Sequence, residues 1–172
     1  MEYLVKNGDV DPRAAFIVDT LTRRGWKISF AESCTAGLAA AHLVDVPSAS
    51  NVFDASFVTY SNEAKVKYLG VSADTIAEQG VVSEAVAIQM AAGTAGANGT
   101  QVGVGITGIA GPTGGTPTKP VGMVCFGFYI DGKTFSATKQ FGEIGRDAVR
   151  GASVDYVYSF LMSMFTLMEK KS

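Results

Sequence analysis

The chain has 172 residues, of which 47% are hydrophobic, and a formal net charge of −2. A chain of this length typically buries about 70% of its unfolded surface, which is enough for a full hydrophobic core. The slightly acidic charge balance excludes the strongly basic surface of a typical nucleic-acid-binding domain, so we expect no nucleic-acid partner.

Cysteine content and hydropathy indicate a cellular compartment. Two cysteines, Cys34 and Cys125, are too few for a disulfide framework in a chain this long. Residues 1–13 contain no apolar segment of the kind found in a secretory signal. The uncharged stretch 85–118 is interrupted by Gly, Asn, Gln and Pro, so we expect neither a membrane span nor a membrane partner. We therefore predict a reducing, cytoplasmic location.

Helices and strands alternate in the first half of the chain. Asp9 or Asp11 can cap a first helix, which has Pro12 near its first position and ends at Gly25. The following predicted elements, in chain order, are a strand at 26–31, a helix at 35–44, a strand at 53–60 and helices at 62–69, 73–79 and 84–96, the last two capped by Ser72 and Ser83.

The second half of the chain contains the signal for a β-hairpin. Predicted strands at 121–130 and 133–141 flank Asp131-Gly132, a dipeptide typical of two-residue hairpin turns. They are preceded by a predicted strand at 101–107 and a glycine-rich loop at 108–120. This order of elements predicts an α/β fold with a mixed sheet covered by helices on both faces.

A final helix is predicted at 146–169, and its apolar surface is wider than a single stripe. Docking on the core and a subunit interface in a homo-oligomer both explain this surface, and both interpretations stay open. No linker or repeat divides the chain, so we expect one domain over residues 1–172.

The sequence FAESCTAG at 30–37 offers two candidate nucleophiles, Ser33 and Cys34. Serine and cysteine hydrolases usually take their base from a histidine. The single histidine, His42, lies eight residues after Cys34 on the same predicted helix, about 12 Å along its axis and too far for a hydrogen bond. We therefore expect His42 to be a packing or surface residue. Two cysteines and one histidine also lack the spacing of zinc ligands, so no metal is expected.

A lysine held neutral by burial can replace histidine as the base of a serine nucleophile. Lys65 closes the segment VTYSNEAK at 58–65, where a predicted strand gives way to a helix. Ser33 occupies the same kind of strand-to-helix turn, and adjacent turns of this kind form the ligand cleft of α/β folds. The alternative interpretation of Lys65 is a solvated lysine on the helix surface.

The glycine-rich segment 103–120 begins with a match to G-x-G-x-x-G. The helix that a dinucleotide-binding fingerprint needs cannot follow it, because glycines and prolines come next. A P-loop is also excluded, since no Gly-Lys-Ser/Thr closes the segment. Backbone N–H groups of such a loop can bind an anion or oxyanion, and Lys119 adds a cation. A plain surface turn is the alternative.

Arg146 and Arg150 lie one turn apart at the start of the last predicted helix. The helix dipole does not favour cations at that end, so a phosphate or carboxylate ligand would explain them. Surface arginines beside Glu143 and Asp147 are the alternative.

Five segments together resemble one family, the C-terminal domain of the competence/damage-inducible protein CinA, whose standalone members are nicotinamide-nucleotide amidohydrolases. The resemblance implies a three-layer α/β/α sandwich and deamidation of nicotinamide mononucleotide to nicotinic acid mononucleotide and ammonia, without a cofactor. The segments are AESCTAG at 31–37, VTYSNEAK at 58–65 with YLGV at 68–71, GVVSEAVA at 80–87, GITGIAGPTGGTPTKPVG at 105–122 and GRDAVR at 145–150.

The resemblance also assigns roles to residues. It implies that Ser33 is the nucleophile and Lys65 its base, and that Tyr60 lies near this pair. We expect Tyr60 to orient or tune Lys65. N–H groups at the start of a helix beginning at Thr35 would stabilise the oxyanion. The nucleotide substrate is the expected small-molecule partner. The residues expected to contact it are Thr35, Thr107, Gly108, Ile109, Ala110, Gly111, Lys119 and Arg146, with Lys119, Arg146 and the Gly108 loop as candidates for its phosphate.

Two other functions fit the same residues. One is a nucleotide-binding or competence-accessory module that has the fold but no catalytic activity. The other is an amidase for a different amide, because Ser/Lys chemistry does not by itself select a substrate.

Overall fold

The computed structural model describes residues 10–170, which form a five-stranded β-sheet with helices on both of its faces. A short 3-10 helix, Ala49–Asn51, is also present. In chain order the main elements are α1 (Pro12–Arg24), β1 (Ile28–Glu32), α2 (Leu38–Val44), β2 (Phe57–Val58), α3 (Asn62–Leu69), α4 (Ala73–Gln79), α5 (Glu84–Asn98), β3 (Val102–Gly108), β4 (Met123–Ile130), β5 (Lys133–Gln140) and α6 (Arg146–Glu169).

The sheet is mixed and has the strand order β2-β1-β3-β4-β5. The first three strands in this order are parallel, and β4 and β5 are antiparallel to their neighbours. Asp131 and Gly132 make the hairpin turn with φ angles of 47° and 82°, the left-handed conformation that such turns require. The predicted mixed sheet and hairpin are confirmed, whereas β2 occupies only Phe57–Val58 of the strand predicted at 53–60.

Side chains alternate between the two faces of each strand and separate the core into two layers. Phe30 and Phe126 belong to the main apolar cluster, which includes residues of α1, α2 and α6. Ala31 and Cys125, one position before or after them, belong to smaller clusters that include residues of α5. The three-layer α/β/α arrangement implied by the resemblance is therefore confirmed.

Helix α5 approaches the sheet closely because glycines face it. A Cβ atom at Gly105 of β3 would lie 2.2 Å from the carbonyl oxygen of Ala87, and one at Gly127 of β4 would lie 2.1 Å from the same oxygen. Gly105 and Gly127 are direct cross-strand partners. The first glycines of the segment 103–120 thus serve helix-sheet packing, which explains their spacing without a dinucleotide.

Substituting Gly127 tests this packing. We expect Gly127→Ala to lower the free energy of unfolding by about 3 kcal/mol, because the added methyl group must displace backbone of α5. A Cβ atom at Gly96, inside α5, would have no other atom within 4 Å. Gly96→Ala is therefore the matched control and should raise the free energy of unfolding by about 0.5–1 kcal/mol. Urea unfolding measures both, and equal effects of the two substitutions would contradict the packing account.

The helix ends carry the predicted caps. Asp11, Ser72 and Ser83 each accept a hydrogen bond from a backbone N–H of the first turn of the helix that follows. Such a bond satisfies one of the N–H groups that the helix itself leaves unpaired. The alternative cap, Asp9, lies outside the described residues.

His42 is a packing residue, as predicted. Its Nε2 lies 2.9 Å from the Oδ2 of Asp11, and its ring meets that of Tyr158 edge-on with the centroids 4.7 Å apart. The hydroxyl of the fully buried Tyr158 donates to the carbonyl oxygen of Ala39 at 2.8 Å. These contacts attach α2, the first helix after Ser33 in the chain, to α6 and α1.

Helix α6 docks on the core, one of the two interpretations of its apolar surface. Val157, Leu161 and Phe165 are fully buried, while Met162 and Leu167 are exposed. A homo-oligomer that covers the exposed part stays a prediction. None of the helices within residues 10–170 has the length and apolar character to cross a membrane.

Candidate active site

Ser33 and Lys65 come together at the end of the parallel strands. Ser33 directly follows β1, and its N–H donates to the carbonyl oxygen of Ile106 in β3 at 3.0 Å. Lys65 Nζ lies 3.1 Å from Ser33 Oγ and donates to the carbonyl oxygen of Thr59 at 2.7 Å. Two neighbouring strand-to-helix turns thus place the predicted nucleophile and the predicted base within hydrogen-bond distance.

Lys65 lies in an environment that favours its neutral form. The residue is 1% exposed, so the interpretation as a solvated helix lysine is wrong. Burial lowers the pKa of Lys65 below its usual value, because the ammonium loses its hydration. Within residues 10–170 no carboxylate forms an ion pair with it. A neutral lysine carries a lone pair that can accept the proton of Ser33.

The chain turns sharply between Ser33 and α2. Ala36 and Gly37 both adopt left-handed conformations, with φ angles of 52° and 92°, so α2 begins at Leu38 and the prediction of a helix starting at Thr35 is wrong. We call residues 33–37 the nucleophile turn.

Glu32, the residue before the nucleophile, caps α2 from outside the helix. It is fully buried, and its carboxylate accepts hydrogen bonds from the N–H groups of Gly37, Ala39 and Ala40 at 3.0, 3.1 and 2.9 Å. The N–H groups at the start of α2 are therefore occupied and cannot serve as the expected oxyanion donors. The sequence alone indicates no role for Glu32.

Two amide N–H groups of the nucleophile turn, those of Cys34 and Thr35, donate to no oxygen atom of the described residues. Cys34 lines the pocket described below. Thr35 is fully buried and does not line that pocket, so the structure does not support its side chain as a substrate contact. Its carbonyl oxygen accepts a hydrogen bond from Arg150 Nη2 at 3.1 Å.

Tyr60 and Arg146 contact each other at the pocket. Arg146 donates from Nη2 to the hydroxyl of Tyr60 at 2.7 Å and from Nη1 to the carbonyl oxygen of Gly111 at 2.9 Å. Tyr60 therefore supports Arg146, whereas Lys65 is held by the carbonyl of Thr59, contrary to the expected role of Tyr60. No carboxylate of the described residues pairs with Arg146, so its charge is open to an anionic ligand.

The last two residues of β3 and the three residues that follow it line the same pocket. The residues that form this part of the wall are Thr107, Gly108, Ile109, Ala110 and Gly111. The Thr107 hydroxyl is itself used in the fold, since it donates to the carbonyl oxygen at position 81 at 2.9 Å. The N–H groups of Ala110 and Gly111 have no acceptor within the described residues, which leaves them open to an anion.

Lys119 does not line this pocket, so the structure does not support the expectation that it contacts the phosphate. Its Nζ donates to the backbone carbonyl oxygens of Gln79 and Val82, the latter at 2.7 Å. These bonds attach the glycine-rich loop to the connection between α4 and α5. The ammonium is therefore used within the fold and does not line the pocket.

The pocket has a volume of about 260 Å³ and is open to solvent. Five of its lining residues were not predicted from the sequence, although three of the segments quoted for the family resemblance contain all of them. The missed residues are Asn62, Val81, Val82, Thr113 and Gly114.

Within residues 10–170 no group of three or more His, Cys, Asp or Glu side chains could hold a metal.

The thiol of Cys34 is the other candidate nucleophile next to Ser33. Burial raises the pKa of the Cys34 thiol to about 11, so little thiolate exists at neutral pH. Lys65 Nζ lies within hydrogen-bond distance of Ser33 Oγ, and no hydrogen bond joins it to the Cys34 thiol among the described residues, so Ser33 is the better-placed nucleophile of the two candidates.

Known proteins of one family resemble this chain in sequence and fold. A family model described as "CinA C-terminal domain" matches residues 10–165. A CinA-like protein of Kosmotoga olearia is 46% identical over 160 residues, which cover 93% of this chain and 38% of that protein. A putative competence-damage inducible protein of Caldicellulosiruptor saccharolyticus is 51% identical over 69% of this chain and 30% of its own length. The chain thus spans less than two fifths of these relatives.

Solved structures match over nearly their whole length. The competence/damage inducible protein CihA from Agrobacterium tumefaciens has a TM-score of 0.87 and 38% identity, covering 92% of this chain and 97% of that one. A CinA superfamily protein from Escherichia coli has a TM-score of 0.86 and 29% identity, covering 94% and 93%.

Proposed function

This chain belongs to the CinA C-terminal domain family, and on that premise we propose that it is a nicotinamide mononucleotide deamidase. The reaction hydrolyses the carboxamide to nicotinic acid mononucleotide and ammonia. The observation that carries the proposal is the 3.1 Å contact between Ser33 Oγ and the Nζ of the buried Lys65. A serine beside a neutral lysine is the machinery of an amide hydrolase that uses neither histidine nor metal.

The first half of the reaction forms an acyl-enzyme. Neutral Lys65 takes the proton of Ser33 as Oγ attacks the carboxamide carbon, and the carbonyl oxygen becomes an oxyanion. The open N–H groups of Cys34 and Thr35 are the donors nearest to Ser33 in the chain. Removal of one oxyanion donor typically costs about 3–4 kcal/mol of transition-state stabilisation.

The second half of the reaction releases both products. Lys65 gives its proton to the departing nitrogen, the carbon–nitrogen bond breaks, and ammonia leaves an ester on Ser33. A water molecule then attacks this ester while Lys65 accepts its proton. Nicotinic acid mononucleotide leaves as Oγ regains the proton from Lys65.

The anionic end of the substrate has a matching region in the pocket. Arg146 carries a charge with no carboxylate partner among the described residues, and its guanidinium is positioned by Tyr60 and Gly111. The open N–H groups of Ala110 and Gly111 lie on the same wall. A guanidinium with backbone N–H groups is typical of phosphate recognition, which favours a nucleotide over an uncharged amide.

Ammonia release from a panel of amides tests the function. The panel contains nicotinamide mononucleotide, nicotinamide riboside, nicotinamide and L-glutamine, each with wild-type protein and Ser33→Ala. We expect nicotinamide mononucleotide to be the best substrate, with background release by Ser33→Ala. Preference for another amide would identify the related amidase. Nucleotide binding without ammonia release would identify the accessory module.

Arg146→Ala tests the phosphate contact. We expect kcat/KM for nicotinamide mononucleotide to fall about 10- to 100-fold, the equivalent of a charged hydrogen bond of about 1.5–3 kcal/mol. Nicotinamide riboside, which lacks the phosphate, is the internal control and should change little. Equal loss with both substrates would contradict phosphate binding by Arg146 and would indicate a general defect of the pocket.

A further inference from the structure

We infer that Glu32 is a positioning residue for Ser33, acting through the nucleophile turn. This inference rests on the proposed function. Glu32 touches no substrate-facing atom, because it is fully buried and its carboxylate bonds to backbone N–H groups. Its effect on the reaction would come from the orientation that it gives to Ser33 and to the open N–H groups of Cys34 and Thr35.

The position of Glu32 in the chain links both ends of the nucleophile turn. As the last residue of β1, it is attached to the sheet immediately before Ser33. Its carboxylate accepts hydrogen bonds from Gly37, the last residue of the turn, and from Ala39 and Ala40 in the first turn of α2. The Glu32 side chain thus connects the residues before and after positions 33–36 and closes a hydrogen-bonded loop over residues 33–37. A shift of α2 away from the sheet would open that loop and move Ser33 relative to Lys65.

The capping pattern distinguishes this arrangement from an ordinary helix end. A helix is usually capped by the side chain of its own N-cap residue. The N-cap residue of α2 is Gly37, which has no side chain to do so. A buried carboxylate is costly unless hydrogen bonds compensate it, so three N–H donors and the positive end of the helix dipole retain Glu32 here.

The nucleophile turn also needs an external constraint. Ala36 has a φ of 52°, a conformation that is unfavourable for a residue with a Cβ and persists only when surrounding contacts enforce it. Arg150 supplies a contact from α6, since its Nη2 donates to the carbonyl oxygen of Thr35. Glu32 therefore holds the turn by accepting a hydrogen bond from the N–H group of Gly37, and Arg150 holds it by donating one to the carbonyl oxygen of Thr35.

Glu32→Gln is the test, with Thr94→Val as the matched control. Glutamine keeps the shape but presents an NH₂ group to backbone N–H donors. Thr94 is equally buried and donates to the carbonyl oxygen of Phe30 on the same strand, away from the turn. For Glu32→Gln we expect kcat for ammonia release to fall at least about tenfold with KM within about threefold. Amide hydrogen exchange of residues 34–40 should accelerate. Thr94→Val should change neither quantity.

Each outcome decides the inference. Wild-type kcat in Glu32→Gln, unchanged exchange in the turn, or an equal loss of kcat in Thr94→Val would overturn it. If Glu32→Gln does not fold, Arg150→Met with Asp147→Asn as control repeats the test from the other side of the turn, with the same expected split. If the wild-type protein releases no ammonia, the proposed function fails, and hydrogen exchange alone decides whether Glu32 holds the turn.

Discussion

Replacing Lys65 with methionine is expected to lower kcat for ammonia release by about 10⁴- to 10⁶-fold without unfolding the protein. Removal of one member of a nucleophile-base pair in serine hydrolases has effects of this size, because the members act as a unit. Methionine fills a similar volume in the buried position of Lys65. The measurement is steady-state ammonia release, with circular dichroism as the control for folding. Turnover within about tenfold of the wild type would contradict the role of Lys65 as the base.

The pH dependence of the wild-type protein provides a second measurement on Lys65. Only the neutral amine can accept the proton of Ser33, so kcat/KM should rise with pH through the lowered pKa of Lys65. A profile without this rising limb would contradict a neutral lysine base.

The free energy of unfolding should also depend on pH through the protonation of Lys65, and it should rise as the pH rises. Because burial lowers the pKa of Lys65 in the folded state, the unfolded chain binds more protons between that pKa and the usual lysine value. The free energy of unfolding of the wild type should therefore increase relative to that of Lys65→Met as the pH rises through this window. Urea unfolding at several pH values measures the difference, and a constant difference would contradict the shift.

Ser33→Ala is expected to reduce ammonia release to the background rate, because no acyl-enzyme can form. The matched control is Ser29→Ala, which removes another serine of the same region, one that bonds Thr100 in the core at 2.9 Å and has no contact with the pocket. Ser29→Ala should keep wild-type turnover. Turnover in Ser33→Ala together with its loss in Cys34→Ala would contradict the assignment of the nucleophile.

The fold was predictable where the signals are local. Ser72 and Ser83 lie directly before the helices that they cap, and Asp131-Gly132 encodes its turn within two residues. Such contacts span few positions, so spacing along the chain identifies them. Alternation of strands and helices likewise predicted the mixed sheet with helices on both faces.

The site was predictable only in part, because its decisive contacts join distant segments. The family resemblance paired Ser33 with Lys65. Spacing along the chain could not decide between this pairing and a solvated lysine on the helix surface. The partners of Lys119, at Gln79 and Val82, lie about forty positions earlier in the chain. No local sequence pattern reveals that these carbonyl oxygens accept hydrogen bonds from the ammonium of Lys119.

Glu32 was the other residue that the sequence could not explain. Its three N–H partners lie five to eight positions further along the chain, and they fall within its reach only because the nucleophile turn is left-handed at Ala36 and Gly37. A non-glycine residue in that conformation is uncommon, so the sequence predicted a helix from Thr35. Because of the same turn, the N–H groups at the start of α2 bond to Glu32 and cannot be the expected oxyanion donors. The N–H groups of Cys34 and Thr35 remain open instead.

We propose that Ser33 and Lys65 hydrolyse the carboxamide of nicotinamide mononucleotide. The most direct test is a time course of ammonia release from this nucleotide by purified wild-type protein, Ser33→Ala and Lys65→Met under identical conditions. We expect one ammonia for each nicotinamide mononucleotide consumed by the wild type and background release by both variants. No release by the folded wild-type protein, or undiminished release by Ser33→Ala, would contradict it.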